Sequence, residues 1–266
     1  MVARSARLGS CIDRFMPAPK NAPSGPAEHF ADEVRQRIET ARTDAEFASL
    51  SRRWMAASFP RKYSYNFSWM GRPIIQYPQD MIAMQEIVWA IRPELIIETG
   101  IAHGGSIVYY ASLLQLIGRG EVIGIDVDIR EHNRVEIESH PMAHRIRMLE
   151  GSSIATDVVD RVKALAAGRS PVLVVLDSNH THEHVLAELR AYAGLVTAGS
   201  YCVVFDTVVE DLPNEYFDDR PWGVGDNPRT AVNAFLAEDA RFELDAGIDA
   251  KLGITVAAGG YLRRVR

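Results

Sequence analysis

Only two cysteines occur in 266 residues, Cys11 and Cys202. One lies in a stretch of scattered Arg and Pro and the other inside an apolar run, so a disulfide framework is not expected and a reducing, cytoplasmic setting is. Long apolar runs are also missing, and none reaches the roughly 18 residues that a membrane span needs. The first 21 residues have no continuous apolar core and are not expected to act as a secretory signal. Basic residues are in deficit, 29 Lys and Arg against 35 Asp and Glu for a net charge of -6. General nucleic-acid binding, which needs a basic face, is therefore not expected. No solenoid repeat is present, and no low-complexity segment beyond residues 1–25. What remains is 47% hydrophobic and 24% charged, the composition of a soluble globular chain.

The most informative stretch is Glu98-Thr99-Gly100-Ile101-Ala102-His103-Gly104-Gly105-Ser106. A short apolar run ends at an acid, glycines follow, and an apolar segment of helical length comes next. This reads as a strand, a tight turn and a helix start, the first βα turn of a nucleotide-type α/β fold. Glycine permits positive φ and close approach of a ligand to the main chain. The helix start presents unpaired N–H groups to that ligand. A plain packing turn is the alternative. Gly100, His103, Gly104 and Ser106 are the candidate cofactor contacts here, with Glu98 before them. The next strand ends at Asp126, a carboxylate able to accept from both hydroxyls of a ribose. Asp126 does not distinguish S-adenosylmethionine from a nicotinamide dinucleotide.

Near-continuous apolar strands at 95–98, 122–126, 146–149, 172–177 and 201–206 alternate with helical segments at 104–116, 129–139, 154–167 and 181–193. That pattern predicts a Rossmann-like, mostly parallel sheet with helices on both faces. Strands at 242–245 and 260–265, joined by a glycine-containing stretch without a helix, predict a final antiparallel strand. Upstream, helices are expected over 28–41 and from the capping-box pattern Thr43-Asp44-Ala45-Glu46 to about Ala57. A further helix over 79–91 should turn Met81, Ile82, Met84, Ile87 and Val88 inward. The organisation expected is an arm over 1–25, a helical and aromatic cap over 26–78, and a Rossmann-like domain over 79–266. The aromatic segment 62–77 reads either as core packing or as a pocket wall. The acidic, Pro- and Gly-bearing stretch 209–227 reads as a solvated loop or a lid.

Ligands of open α/β sheets bind at the carboxyl ends of the strands. The residues there are Glu98, Asp126, Ser152, Asp177 and Asp206, with Ser152 a further cofactor candidate. Asp177 and Asp206, on neighbouring strand ends, would repel unless a cation joined them, and oxygen ligands suit Mg²⁺. Capping of the following helices is the alternative. Three residues beyond Asp177 stands His180, a candidate base for a hydroxyl proton. His182 and His184 read as polar helix surface.

Three runs carry a family resemblance. They are Ser68-Trp69-Met70-Gly71-Arg72-Pro73-Ile74-Ile75-Gln76-Tyr77-Pro78-Gln79-Asp80, Arg92-Pro93-Glu94-Leu95-Ile96-Ile97-Glu98 with the glycine turn that follows it, and Leu176-Asp177-Ser178-Asn179-His180-Thr181-His182-Glu183-His184-Val185. Over about residues 60–266 the chain resembles the cephalosporin hydroxylase/rhamnosyl O-methyltransferase family. The resemblance implies a class I methyltransferase fold, S-adenosyl-L-methionine with Asp177 near it, methylation of a hydroxyl on a sugar or natural product, and a homo-oligomer such as a hexamer. It also implies Mg²⁺ at Asp177 and Asp206. Family members often carry Glu-Asp at the latter position; this chain has Phe205-Asp206, with Thr207 next as a substitute ligand. No two-His-one-carboxylate triad supports oxygenation. Two competing readings are a nicotinamide-dependent oxidoreductase and a catalytically inactive partner subunit of the same fold.

Overall fold

The computed structural model describes residues 25–266; the arm expected at the start and Cys11 lie outside the described residues. Helices α1 (Pro26–Thr43) and α2 (Ala45–Ser58) come first. The cap between them is Asp44, whose carboxylate accepts from the amide of Phe47 at 2.9 Å, and not Thr43, which closes α1. A hairpin of β1 (Phe67–Trp69) and β2 (Arg72–Ile74) follows. Its two turn residues, Met70 and Gly71, both have positive φ, the conformation that matches hairpin twist in two-residue turns.

Helix α3 (Pro78–Ile91) leads into the sheet. Met84, Ile87 and Val88 are buried as expected, but Ile82 is exposed. It lies two residues from Met84, about 200° around the helix, so it cannot share that face. The main sheet contains β3 (Leu95–Thr99), β4 (Glu121–Asp126), β5 (Ile146–Glu150), β6 (Val172–Leu176), β7 (Tyr201–Val204), β8 (Phe242–Leu244) and β9 (Tyr261–Arg264), in the order β5-β4-β3-β6-β7-β9-β8. The pairs among β3 to β7 are parallel, and β9 runs antiparallel to both β7 and β8. Connecting helices are α4 (Gly105–Ile117), α5 (Glu131–Glu138), α6 (Thr156–Ala166) and α7 (His182–Tyr192). Helix α8 (Pro228–Glu238) has no counterpart in the periodicity reading. Helix α9 (Ala246–Leu252) stands between the last two strands, where no helix is expected from sequence. Among the described residues no helix is long and apolar enough to cross a membrane.

Strand alternation builds two cores. Ile96, Val122, Leu173, Val175, Tyr201 and Val203 face one, packed under α3 and α4. Leu95, Ile97, Ile123, Val172, Val174, Cys202 and Val204 face the other, with α6 and α7. Each such side chain contributes roughly 1.5–3 kcal/mol by leaving water, so the strands and their carboxyl ends form a stiff platform.

Asp80, on α3, locks the sheet's far edge to this platform. It is fully buried and accepts from the hydroxyls of Thr255 and Tyr261 and the amide of Val256. Asp80→Ala leaves those donors buried and unpaired. Urea unfolding should show a loss on the order of 3 kcal/mol, and a loss below experimental error would remove the lock.

Candidate active site

A cavity of about 560 Å³ opens at the carboxyl ends of β3 and β6. Gly100, His103 and Ser106 form one wall, and Asp177, Ser178, His180 and Asp206 another. The glycine turn is held from outside. Arg72 donates to the carbonyl of His103 at 2.9 and 2.6 Å and to Asn133 Oδ1 at 2.8 Å. Asn133 donates in turn to the carbonyl of Ala102 at 3.0 Å. Asp126 Oδ2 accepts from the amides of Ile101 and Ala102 at 2.8 and 3.1 Å. The ribose candidate therefore also shapes the turn. Gly104 and Ser152 do not line the cavity, nor do Glu98 and Asp126.

Gly100 is required for a reason other than ligand approach. A Cβ there would stand 2.1 Å from the carbonyl oxygen of Asp177, so the turn is packed directly on the neighbouring strand end.

Glu98 is fully buried; its Oε2 accepts from Ser106 at 2.9 Å, and its Oε1 is buried with no hydrogen-bond partner. Burial, only partly offset by Ser106, pushes its carboxyl up from the ordinary 4.5 to about 8, with the charge of Asp126 adding to the rise. Asp177 lies at the cavity floor and accepts from Gln76 Nε2 at 3.0 Å. Burial, then the charges of Asp206 and Glu98, push its carboxyl well above the carboxylate range.

The residue after Phe205 leaves the strand: Asp206 has φ 54°. Its Oδ2 stands 3.3 Å from His180 Nδ1. The other side of the His180 ring meets Trp222 edge-to-face, with centroids 4.7 Å apart. Neither acid serves as a helix cap: the short helical turn after Asp206 and helix α7 have no side-chain cap. Thr207 is a correction. It is buried outside the cavity wall, and its hydroxyl donates to the carbonyl of Ala258 at 2.7 Å. Phe205 is buried in the apolar core.

The stretch 209–227 exposes its acids, Asp211, Glu215, Asp218, Asp219 and Asp226, as a solvated loop would, but is anchored by apolar residues. Val209, Leu212 and Phe217 are buried, and Tyr216, Phe217, Arg220 and Trp222 line the cavity. The aromatic segment divides: Tyr65 lines the cavity, whereas Trp69 packs on Tyr109 and donates to Ser112. His182 and His184 are bonded to Thr230 and Ser153 and are not free surface histidines.

The sequence profile described as Rhamnosyl O-methyltransferase/CmcI matches residues 61–265. The chain belongs to this family. Among curated proteins, the rhamnosyl O-methyltransferase of Mycobacterium bovis (strain BCG / Pasteur 1173P2) is 30% identical over 221 residues, covering 79% of this chain and 85% of that protein. The rhamnosyl O-methyltransferase of Mycobacterium leprae (strain TN) is 29% identical over 220 residues, covering 79% and 90%. Among solved structures, CmcI-N160 in its apo form has a TM-score of 0.54 at 20% identity, covering 76% of this chain and 77% of that one. The structure of cmcI-D160 with Mg and SAM also gives 0.54, at 19% identity, covering 76% and 78%. These two structures establish the shared fold. Membership of the rhamnosyl O-methyltransferase/CmcI family makes the enzyme class that of S-adenosylmethionine-dependent O-methyltransferases. It takes away the ground for a nicotinamide-dependent oxidoreductase.

Three polar residues escaped the sequence reading: Arg72, Gln76 and Asn133. Each acts on a partner remote in the chain, so no local spacing marks them, although Arg72 and Gln76 lie inside a family-like run.

Glu98 gives the ligand-free enzyme a pH signature. It holds its proton more tightly folded than unfolded, so the folded state binds more protons between about 4.5 and 8. Stability therefore falls as pH rises through that window. Asp80, pushed up from 3.8 to about 6 by burial, adds to the lower part of the fall. Thermal melts across the window should show it, and Glu98→Gln should flatten its upper part; parallel curves for the two proteins would refute the assignment.

Proposed function

We propose that the protein methylates a hydroxyl of a sugar or glycosylated natural product, using S-adenosylmethionine and a divalent cation such as Mg²⁺. The observation that carries this is the His180 ring, set between Asp206 and Trp222 on the wall of a cavity floored by Asp177. The reading rests also on the family.

The residues fit the donor. Glu98 Oε1 is a buried acceptor without a partner beside the glycine turn, suited to an ammonium group such as that of the methionine moiety. Asp126 and the turn 100–106 would hold the rest, with Ser152 and Asp177 beside it. They fit a cation as a two-carboxylate site. The charge of Asp206 adds to the proton affinity of Asp177, and the polar partner of Asp177 is the neutral Gln76. Among the described residues no three His, Cys, Asp or Glu side chains converge as a ready ligand set. Waters and substrate would complete the shell, which Mg²⁺ tolerates.

When bound, S-adenosylmethionine supplies an electrophilic methyl group, and the cation lowers the pKa of a nearby hydroxyl. The chain does the rest. Aromatic faces of Tyr65, Tyr216 and Trp222 seat the acceptor ring and exclude water. His180 takes the hydroxyl proton while Asp206 holds its Nδ1 side and orients the ring. With the methyl group passed to the acceptor oxygen, His180 would be left carrying the hydroxyl proton, to be released to solvent. The buried free thiol of Cys202 suits a reducing, cytoplasmic setting.

Incubation with S-adenosylmethionine, Mg²⁺ and a panel of glycosides, read by mass spectrometry, should give a product heavier by one methylene unit. His180→Ala should lower the rate by a factor of roughly 10² to 10⁴ with S-adenosylhomocysteine affinity kept. Asp177→Ala should lose both turnover and cation affinity. Full activity in excess chelator would remove the cation from the scheme, and turnover of any acceptor eliminates the inactive-subunit alternative.

Assembly belongs to the same proposal. Phe47, Leu50 and Trp54 are exposed on α2 at the spacing of one helical face. A homo-oligomer, such as a hexamer, would cover them. Light scattering at micromolar concentration should report a multiple of 29.6 kDa; a monomer mass contradicts this.

A further inference from the structure

One buried carboxylate takes no part in the scheme above. Glu188, on the inner face of α7, is wholly removed from solvent. Its Oε1 accepts from Ser153 Oγ at 2.5 Å and from Ser178 Oγ at 2.6 Å. His184, one turn earlier, places Nε2 3.0 Å from Ser153 Oγ and 3.5 Å from Glu188 Oε1. Tyr192 donates to the carbonyl of Ser153 at 2.5 Å. Glu188 Oε2 is buried and has no hydrogen-bond partner.

This is a costly arrangement for stability alone. A buried carboxylate with one oxygen unsatisfied is generally worse than a well-packed apolar side chain of similar size. It is not a hydrolase relay either, because Ser153 and Glu188 both approach the same nitrogen of His184, whereas a relay needs the acid on the other one.

Topology gives the cluster its meaning. Ser153 follows β5 and Ser178 follows β6, and these strands are separated in the sheet by β4 and β3. Glu188 therefore ties together two loops from either side of the strand ends that carry Asp126 and the glycine turn. Ser178 lines the cavity, and Ser153 adjoins Ser152. Ligands of such sheets lie across these ends. Extending outward from Glu98, the nucleoside half of the donor would reach the groove between the two loops.

We infer that Glu188 is a positioning residue that clasps the loops after β5 and β6 and so sets the width of the groove for the nucleoside half of the donor. This rests on the cofactor reading above. The clasp needs an oxygen that accepts two hydroxyls, and Gln can supply one where Leu cannot.

The test compares wild type, Glu188→Gln, Glu188→Leu and the milder Ser178→Ala, each checked by melting temperature. Two probes are titrated by calorimetry: S-adenosylhomocysteine and 5′-methylthioadenosine, which lacks the amino-acid half. Glu188→Leu and Ser178→Ala should weaken both probes by the same factor, about tenfold, while Glu188→Gln stays near wild type. Glu98→Gln should weaken S-adenosylhomocysteine alone. A purely structural Glu188 would lower the melting temperature and leave both affinities unchanged, which overturns the clasp. So does a loss confined to S-adenosylhomocysteine. If Glu188→Leu does not fold, Ser178→Ala decides by the same two affinities. Wild type binding neither probe overturns the cofactor reading itself, and the clasp with it.

Discussion

The missing side chain of Gly100 permits the contact on which the site depends. With no Cβ, the turn after β3 rests on the carbonyl of Asp177 at the end of β6, and even one methyl group would collide at 2.1 Å. The amide of Asp177 donates to Thr99 at 2.9 Å, and the amide of Gly100 to Ile125 at 2.7 Å. Three adjacent strand ends are thereby held in one plane. The glycine turn and the acidic floor cannot move independently, because interiors packed to this density transmit displacement and do not absorb it.

That closeness has an electrostatic consequence. Glu98 and Asp177 are enclosed by protein, and burial, with the charge of Asp126 on the first and of Asp206 and Glu98 on the second, holds their protons far above the usual range. In the ligand-free protein this is strain of charge: the folded state keeps protons that the unfolded chain would release. In the proposed scheme an ammonium beside Glu98 and a divalent ion at Asp177 and Asp206 would each offset charge that the fold confines. The buried acids are unfavourable for stability, as acids at active sites commonly are.

The parallel sheet was legible because each buried strand is an apolar run that stops at an acid or a glycine. The glycine turn and the acids at the strand ends could be read for the same reason. Elements whose pattern is short or interrupted were not. Helix α9 has seven residues with Gly247 inside and Gly253 at its end, a composition that reads as turn. Helix α8 did carry a signal, Asn227-Pro228-Arg229-Thr230, and the structure shows Asn227 and Thr230 in a reciprocal capping box. Ile82 is exposed because its phase on the helix, about 200° from Met84, outweighs its apolar side chain. The contacts of Arg72, Gln76 and Glu188 leave no mark in local spacing. Their partners lie 31, 101 and 35 residues away in the chain, and only the folded topology brings them together.

The end of β7 shows how one backbone angle decides what a motif does. Alternation puts Tyr201, Val203 and Phe205 in one core and Cys202 and Val204 in the other. Continued, it would send residue 206 into the second core with Val204. The left-handed φ of 54° ends the strand there instead, and Asp206 reaches the cavity and His180. For a residue with a side chain this conformation costs roughly 1–2 kcal/mol. Aspartate bears that cost better than most residues, yet its side chain makes no local cap in return. The strain is retained where it aims a carboxylate at a histidine. Phe205, which needs no such turn, stays in the core. The chain therefore has one acid fewer at this strand end than the Glu-Asp pattern would give, and His180 is the group to which the remaining acid is directed.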